Sequence, residues 1–182
     1  MHRNKILQQL LAYQSRWISE SATVTRLIDF VLSAPECFER SYKEGHVTGS
    51  AWVVNNEGTH VLLTHHKKLN RWLQLGGHAD GDPDILRVAL REVDEESGLK
   101  QVEAIGGEIF DIDIHQIPKR REEPGHYHYD IRYAIQARGS DAYVVSDESH
   151  DLSWIEIKNL EQKTSDESML RMASKWMAGF SP

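Results

Sequence analysis

One cysteine, Cys37, stands among 182 residues, so the chain forms no internal disulfide and falls outside the small disulfide-stapled secreted class. No window approaches the roughly 18 consecutive apolar residues of a membrane span, and the N-terminus lacks the basic start and long apolar run of a secretory signal. Positive charge is also short. The 21 Lys and Arg residues face 28 Asp and Glu, a formal net charge of −7, which argues against a stable partner in nucleic acid or at a membrane surface, since both require a basic footprint. What remains is ordinary for a globular protein, with 40% hydrophobic and 27% charged residues, enough for one domain with a sizeable core and an appendage. A cytoplasmic location is expected, with Cys37 a small, buried, inert hydrophobe.

The first forty residues differ in texture from the rest. Ile6, Leu7, Leu10 and Leu11 make one helical stripe, and Val24, Leu27, Ile28, Val31 and Leu32 make another, which predicts a helical hairpin. Such a hairpin is too small to bury its stripes alone and is expected to cover the main domain or a second subunit. The division expected is an N-terminal helical extension over residues 1–42 and a main α/β domain over 43–182. From His46 onward the chain turns to β-rich runs: Ala51 to Val54, Val61 to Leu63, Trp72 to Leu75, Val102 to Ile114, Tyr129 to Ala137 and Leu152 to Ile157. A last helix carries Met169, Leu170, Ala173, Trp176 and Met177 on one stripe. With no repeats or low-complexity tracts, these elements predict an α/β fold, a three-layer α/β/α sandwich around a mixed sheet with an N-terminal helical hairpin.

The most informative run is Arg91-Glu92-Val93-Asp94-Glu95-Glu96-Ser97-Gly98. Helical neighbours lie three and four residues apart, so Glu92, Glu95 and Glu96 share one face and repel one another unless something positive sits among them. A divalent cation meets that need, and Mg2+, with Mn2+ as a substitute, prefers carboxylate, carbonyl and water oxygens shared with substrate phosphates. Just upstream, Gly76 and Gly77 allow a backbone group to approach an ion or phosphate closely. Asp82 followed by Pro83 reads as a helix cap with proline in the first turn, so the helix is expected to begin near Asp84. Ile85, Leu86, Ala89, Leu90 and Val93 would face the core, and Gly98 would end the helix in the left-handed region.

From Gly77 to Leu99 the chain resembles the Nudix box, G-x5-E-x7-R-E-U-x-E-E-x-G-U with U aliphatic. Gly77, Arg91, Glu92, Val93, Glu95, Glu96, Gly98 and Leu99 fill eight of the nine defined positions, and Pro83 replaces the first glutamate. In the family that glutamate is thought to hold the box arginine, so Asp82 or Asp84 is expected to take over the pairing with Arg91. The resemblance implies the same sandwich fold and metal-dependent hydrolysis of a nucleoside diphosphate linked to another moiety, water attacking phosphorus. It also implies a small nucleotide-type substrate and a homodimer as a candidate assembly.

On that reading Glu95 and Glu96 bind Mg2+, the Gly77 carbonyl adds a ligand, Glu92 is a third ligand or the base, and Arg91 orients the helix face. Family members also take the base from a distant loop, here the one holding Asp147, Glu148 and Asp151, with Glu148 preferred. His78, His126, His128, Arg132 and Arg120 of the KRREE loop are the candidates for substrate contact, arginine being suited to bidentate phosphate recognition. Ten histidines also raise a zinc reading, because His126-x-His128 on a strand puts both rings on one face. Zinc needs further ligands, and no Cys or H-E-x-x-H spacing supplies them.

Two other classes compete with a hydrolase. A Nudix-like sensor would bind nucleotide without turnover, and Pro83 is the mark in its favour. An interaction protein would use the helical appendage and methionine-rich tail, its acidic helix merely solvated. Isopentenyl diphosphate isomerase chemistry, known in a related fold, needs a reactive cysteine, and Cys37 lies upstream in the appendage.

Overall fold

The structure, a computed structural model, describes residues 3–119, 124–147 and 149–180. Helices α1 (Asn4–Arg16) and α2 (Ser21–Ser33) are followed by strands β1 (Gly45–Val54), β2 (His60–His66), β3 (Arg71–Leu73) and β4 (Leu75–His78). Helix α3 (Ile85–Ser97), strands β5 (Val102–Ile117), β6 (His126–Ala137) and β7 (Ser149–Glu156), and helix α4 (Glu167–Met177) complete the order. Among the described residues no helix is long and apolar enough to cross a membrane.

The seven strands form one mixed sheet in the order β3-β2-β1-β6-β5, with β4 also on β1 and β7 on β2. β1 is the organising strand. It runs parallel to β6 along its whole length, from Gly45 opposite Tyr127 to Val54 opposite Gln136. Its other edge is shared, antiparallel, between β4 at Thr48 to Ala51 and β2 at Val53 and Val54.

Strand periodicity sorts the side chains into two layers. Val47, Ala51 and Val53 of β1 and Ile131, Tyr133 and Ile135 of β6 face a core shared with α1, α2 and α3. Trp52, Val54, Leu63, Phe110 and Ala134 face a second, smaller core under α4, closed by Met169, Met172 and Ala173. The α/β/α sandwich is therefore present, and the hairpin is built into it, with Phe30 of α2 stacked on Tyr129 at 3.8 Å between ring centroids. Cys37 is buried, and burial pushes its thiol up to about 11.

All three helical stripes differ from expectation at an edge. Leu11 and Leu32 are exposed and the hairpin buries Tyr13 and Phe30 instead, while α4 buries Met172 and leaves Met177 exposed. In each case the apolar count allowed a wider stripe than the sheet covers.

Under α4 the interior is charged. Asp111 of β5, fully buried, accepts from Arg171 Nε at 2.9 Å and Nη2 at 2.7 Å, from Lys175 Nζ at 2.6 Å and from Arg132 Nη1 at 3.3 Å. Lys175 also reaches Glu20 at 2.6 Å and Tyr13 Oη at 2.6 Å, so one network ties α4, β5, β6 and the N-terminal segment together.

Asp113 sits at the rim of this network. Burial alone would raise its carboxyl, but the His115 hydrogen bond at 3.0 Å and the Arg132 and Arg171 guanidinium groups, each 3.6 Å away, hold it below the usual carboxylate range. A carboxylate depressed in the folded state adds stability that is complete above its unfolded value, about 3.9, and is lost as the pH falls through the folded one. Asp113→Asn should accordingly show a flatter fall in urea midpoint below about pH 4 than the wild type. An unchanged acid limb would remove Asp113 from the account.

Candidate active site

The box segment folds as a strand, a turn and a helix. Asp82 Oδ1 accepts from Asp84 N at 2.9 Å, and α3 begins at Ile85 with no side-chain cap, one residue later than expected. Ile85, Val88, Ala89 and Val93 are buried against the sheet. Gly98 ends the helix with φ 69°, in the left-handed region that favours glycine, its N–H donating to Asp94 O at 2.8 Å.

α3 lies over β4, and the two glycines of that strand set how closely. Gly76 N donates to Glu96 Oε1 at 2.7 Å. A Cβ on Gly77 would stand 2.6 Å from the Glu92 carboxyl carbon, so the carboxylate rests directly on the bare backbone there. Arg91 Nη2 donates to the His78 carbonyl at 2.9 Å and to Glu92 Oε1 at 2.8 Å, and its Nε lies 3.8 Å from Glu95 Oε1. Glu96 is 9% exposed, Glu92 is half-buried and Glu95 is turned outward. Together they form an oxygen-rich cradle, Glu96 and Glu92 seated on a glycine strand with Glu92 also held by Arg91, and Glu95 turned outward beside the same guanidinium.

Neither aspartate beside Pro83 takes over Arg91. Asp82 is held by Arg87 through two hydrogen bonds of 2.7 and 2.6 Å, and Asp84 by Lys5 at 2.9 Å. The arginine is anchored instead by a carbonyl of the strand beneath it, a contact that no spacing rule reveals.

Other expected site residues lie elsewhere. Arg132 is 2% exposed and committed to Asp130 at 2.7 Å, Asp111 and Asp113. Its guanidinium is therefore interior, which corrects the expectation of a phosphate contact. Arg120 and Glu148 lie outside the described residues. Of the other candidate acids in that loop, Asp147 accepts from Lys67 through its backbone carbonyl at 2.7 Å, and Asp151 stands opposite His65 in the β2–β7 pairing.

His78, His126 and His128 do come together, on the sheet face opposite α3, and they are joined by His46 of β1. The His46 ring centroid is 4.9 Å from that of His78, 5.0 Å from His126 and 4.8 Å from His128. Burial, reinforced by the neighbouring imidazoles, pushes His46 down to about 4 and His128 to about 3, so both rings are neutral at neutral pH. His65, by contrast, stacks on Trp72 at 5.0 Å in the β2–β3 hairpin.

Comparison with known proteins agrees with this geometry. The model of the NUDIX domain matches residues 45–176. No curated protein matches by sequence. Among solved structures, the chain is similar to a Caenorhabditis elegans Ap4A hydrolase in a binary complex, with TM-score 0.53 and 19% identity over 74% of this chain and 98% of that one. It is also similar to a MutT protein from Methanosarcina mazei Go1, with TM-score 0.56, 18% identity and coverage of 75% and 96%. A third likeness is to the NUDIX domain of Shewanella oneidensis NrtR complexed with ADP ribose, with TM-score 0.54, 15% identity and coverage of 82% and 96%.

Proposed function

The chain belongs to the Nudix hydrolase family, and from that premise we propose that it hydrolyses the diphosphate linkage of a nucleoside diphosphate joined to another group, in a reaction that depends on Mg2+. The observation that carries this reading is the seating of Glu92 and Glu96 on Gly77 and Gly76, with Arg91 fixed to the same strand.

The donor set fits a hard cation. All its ligands are oxygen, Glu96 and Glu92 are pre-positioned against the backbone, and binding would exchange the Arg91 contacts of Glu92 and Glu95 for the ion. Glu92, Glu95, Glu96 and the Gly77 carbonyl would hold Mg2+, for which Mn2+ is a substitute. When bound, such an ion supplies Lewis acidity to the diphosphate oxygens and acidifies water.

The protein's own part is to place charge and accept a proton. Water adds to one phosphorus as the bond from that phosphorus to the bridging oxygen breaks, and the proton released passes to a carboxylate. Glu92 and Glu148 are the two candidates for that base. Arg91 holds the glutamate face at a fixed distance from β4, so the carboxylates need little rearrangement. The proposed substrate is a soluble nucleotide-type molecule and the proposed setting is the cytoplasm.

The first test is incubation with Mg2+ and a panel of nucleoside triphosphates, ADP-ribose, nucleotide sugars, dinucleotide polyphosphates and coenzymes, with products read by mass. Cleavage at a diphosphate in one class supports the proposal. Tight nucleotide binding without turnover would favour the second reading, a catalytically silent nucleotide-binding module, for which Pro83 is the specific observation.

Gly77→Ala gives an independent check on the cradle. The new methyl displaces only the end of the Glu92 side chain, so the melting temperature should change little. Turnover should nonetheless fall tenfold or more, about 1.4 kcal/mol in the barrier. Equal kcat in both proteins would show that Glu92 does not need its seat on Gly77.

A further inference from the structure

We propose that His46, His78 and His128, with His126 beside them, form a binding site for a divalent transition-metal ion of the zinc class, separate from the carboxylate cradle. One ring nitrogen from each of His46, His78 and His128 lies within 4.8 Å of the others. They come from three adjacent strands. His46 stands directly opposite His128 in the parallel β1–β6 pairing, and His78 closes from β4 on the other side of β1.

His126 stands beside this trio, next to His128. Its Nδ1 lies 3.1 Å from the Pro124 carbonyl, which can only accept, so the proton is fixed there and Nε2 keeps its lone pair. That Nε2 is 3.3 Å from Nε2 of His128. Nitrogens bound tetrahedrally at zinc–nitrogen distances stand ~3.3–3.4 Å apart, so this pair is already at coordination spacing. The Pro124 bond has the form of the outer contacts that set tautomer and orientation in metal-binding histidines.

His46 points to a ligand independently. It is 3% exposed, and neither buried ring nitrogen has a hydrogen-bond partner of normal geometry, the backbone of Tyr42 acting on the ring only as a poorly aligned contact. A buried unpaired polar group is costly and calls for an explanation, and coordination supplies one. Imidazole nitrogens suit zinc and its neighbours in the first transition series, whereas Mg2+ takes oxygen donors. An ion at this point would clamp β1, β4 and β6 where the sheet face carries polar side chains, and would steady the strand to which Arg91 is anchored.

The experiment uses the full chain without an affinity tag, stripped with chelator and titrated with Co2+ or Zn2+ in excess Mg2+. One equivalent of Co2+ should bind with the visible bands of a tetrahedral nitrogen site. X-ray absorption of the zinc form should show scattering from at least three imidazoles, and zinc should raise the melting temperature. His46→Gln and His128→Gln should each abolish stoichiometric binding, whereas Glu96→Gln should retain it. X-ray absorption on the wild type needs no variant to fold. No stoichiometric binding, an oxygen-only coordination shell, or loss of binding in Glu96→Gln would overturn the proposal, the last by placing the ion in the carboxylate cradle.

Discussion

Glu96→Gln is expected to lower kcat by about 10²- to 10⁴-fold under saturating Mg2+, equivalent to several kcal/mol of lost transition-state stabilisation. The substitution is nearly isosteric. Its amide oxygen can still accept from Gly76 N, so the bond of 2.7 Å that seats the side chain survives while the negative charge does not. Because Glu96 is 9% exposed, its charge acts where water screens it poorly. The fold should be unharmed, since a buried carboxylate in the absence of cation carries a desolvation cost that the amide avoids. The measurement is turnover of the substrate found in the panel, with a thermal melt of both proteins. Wild-type turnover in the variant would refute the assignment of Glu96 to the metal, and a lowered melting temperature would move it to a structural role. Glu95→Gln should also lose activity, and because Glu95 is turned outward its melting temperature should be unchanged.

Asp111→Ala should cost about 3–5 kcal/mol of stability, the range found when one partner is taken from a buried ion pair. Asp111 is fully buried and is shared by Arg132, Arg171 and Lys175. Its removal leaves two cations that are themselves buried, Arg132 and Lys175, with fewer counter-charges. Asp130 would remain beside Arg132, and Glu20 beside Lys175. Urea unfolding at neutral pH reads the effect, and Asp111→Asn, which keeps the shape and one acceptor but turns an amide donor toward the cations, should destabilise as well. A cost near that of an exposed pair, below about 1 kcal/mol, would show that water or rearrangement compensates the cluster.

The reach of the sequence differs between these sites. Glu92, Glu95 and Glu96 were legible because α-helical spacing alone puts them on one face, and Gly77, Arg91 and Gly98 fall in register with them. Local geometry of this kind needs no knowledge of the rest of the chain. The helical hairpin and the sandwich were legible for the same reason, as sums of apolar periodicities. Asp111, Arg171 and Lys175 were not, since charged residues in a strand and a terminal helix read as solvated until α4 is laid across β5.

Arg132 shows the limit from the other side. Its residue type and position suggested a phosphate contact, but its neighbours across β5 are Asp111 and Asp113, and register rather than composition decides what a strand residue meets. His126 and His128 could be placed on one face from their spacing of two, yet nothing in the sequence links them to His46, eighty residues earlier. That link exists because β1 runs parallel to β6 and puts His46 beside His128, while β4 returns His78 to the same face. The sequence by itself determined what repeats within a single helix or strand: the glutamate face, the glycine seat and the apolar stripes. Only the tertiary structure decided which strands are neighbours, and with them the buried charge network, the anchor of Arg91 and the meeting of four histidines, because contacts between distant segments depend on pairing order and register rather than on local periodicity.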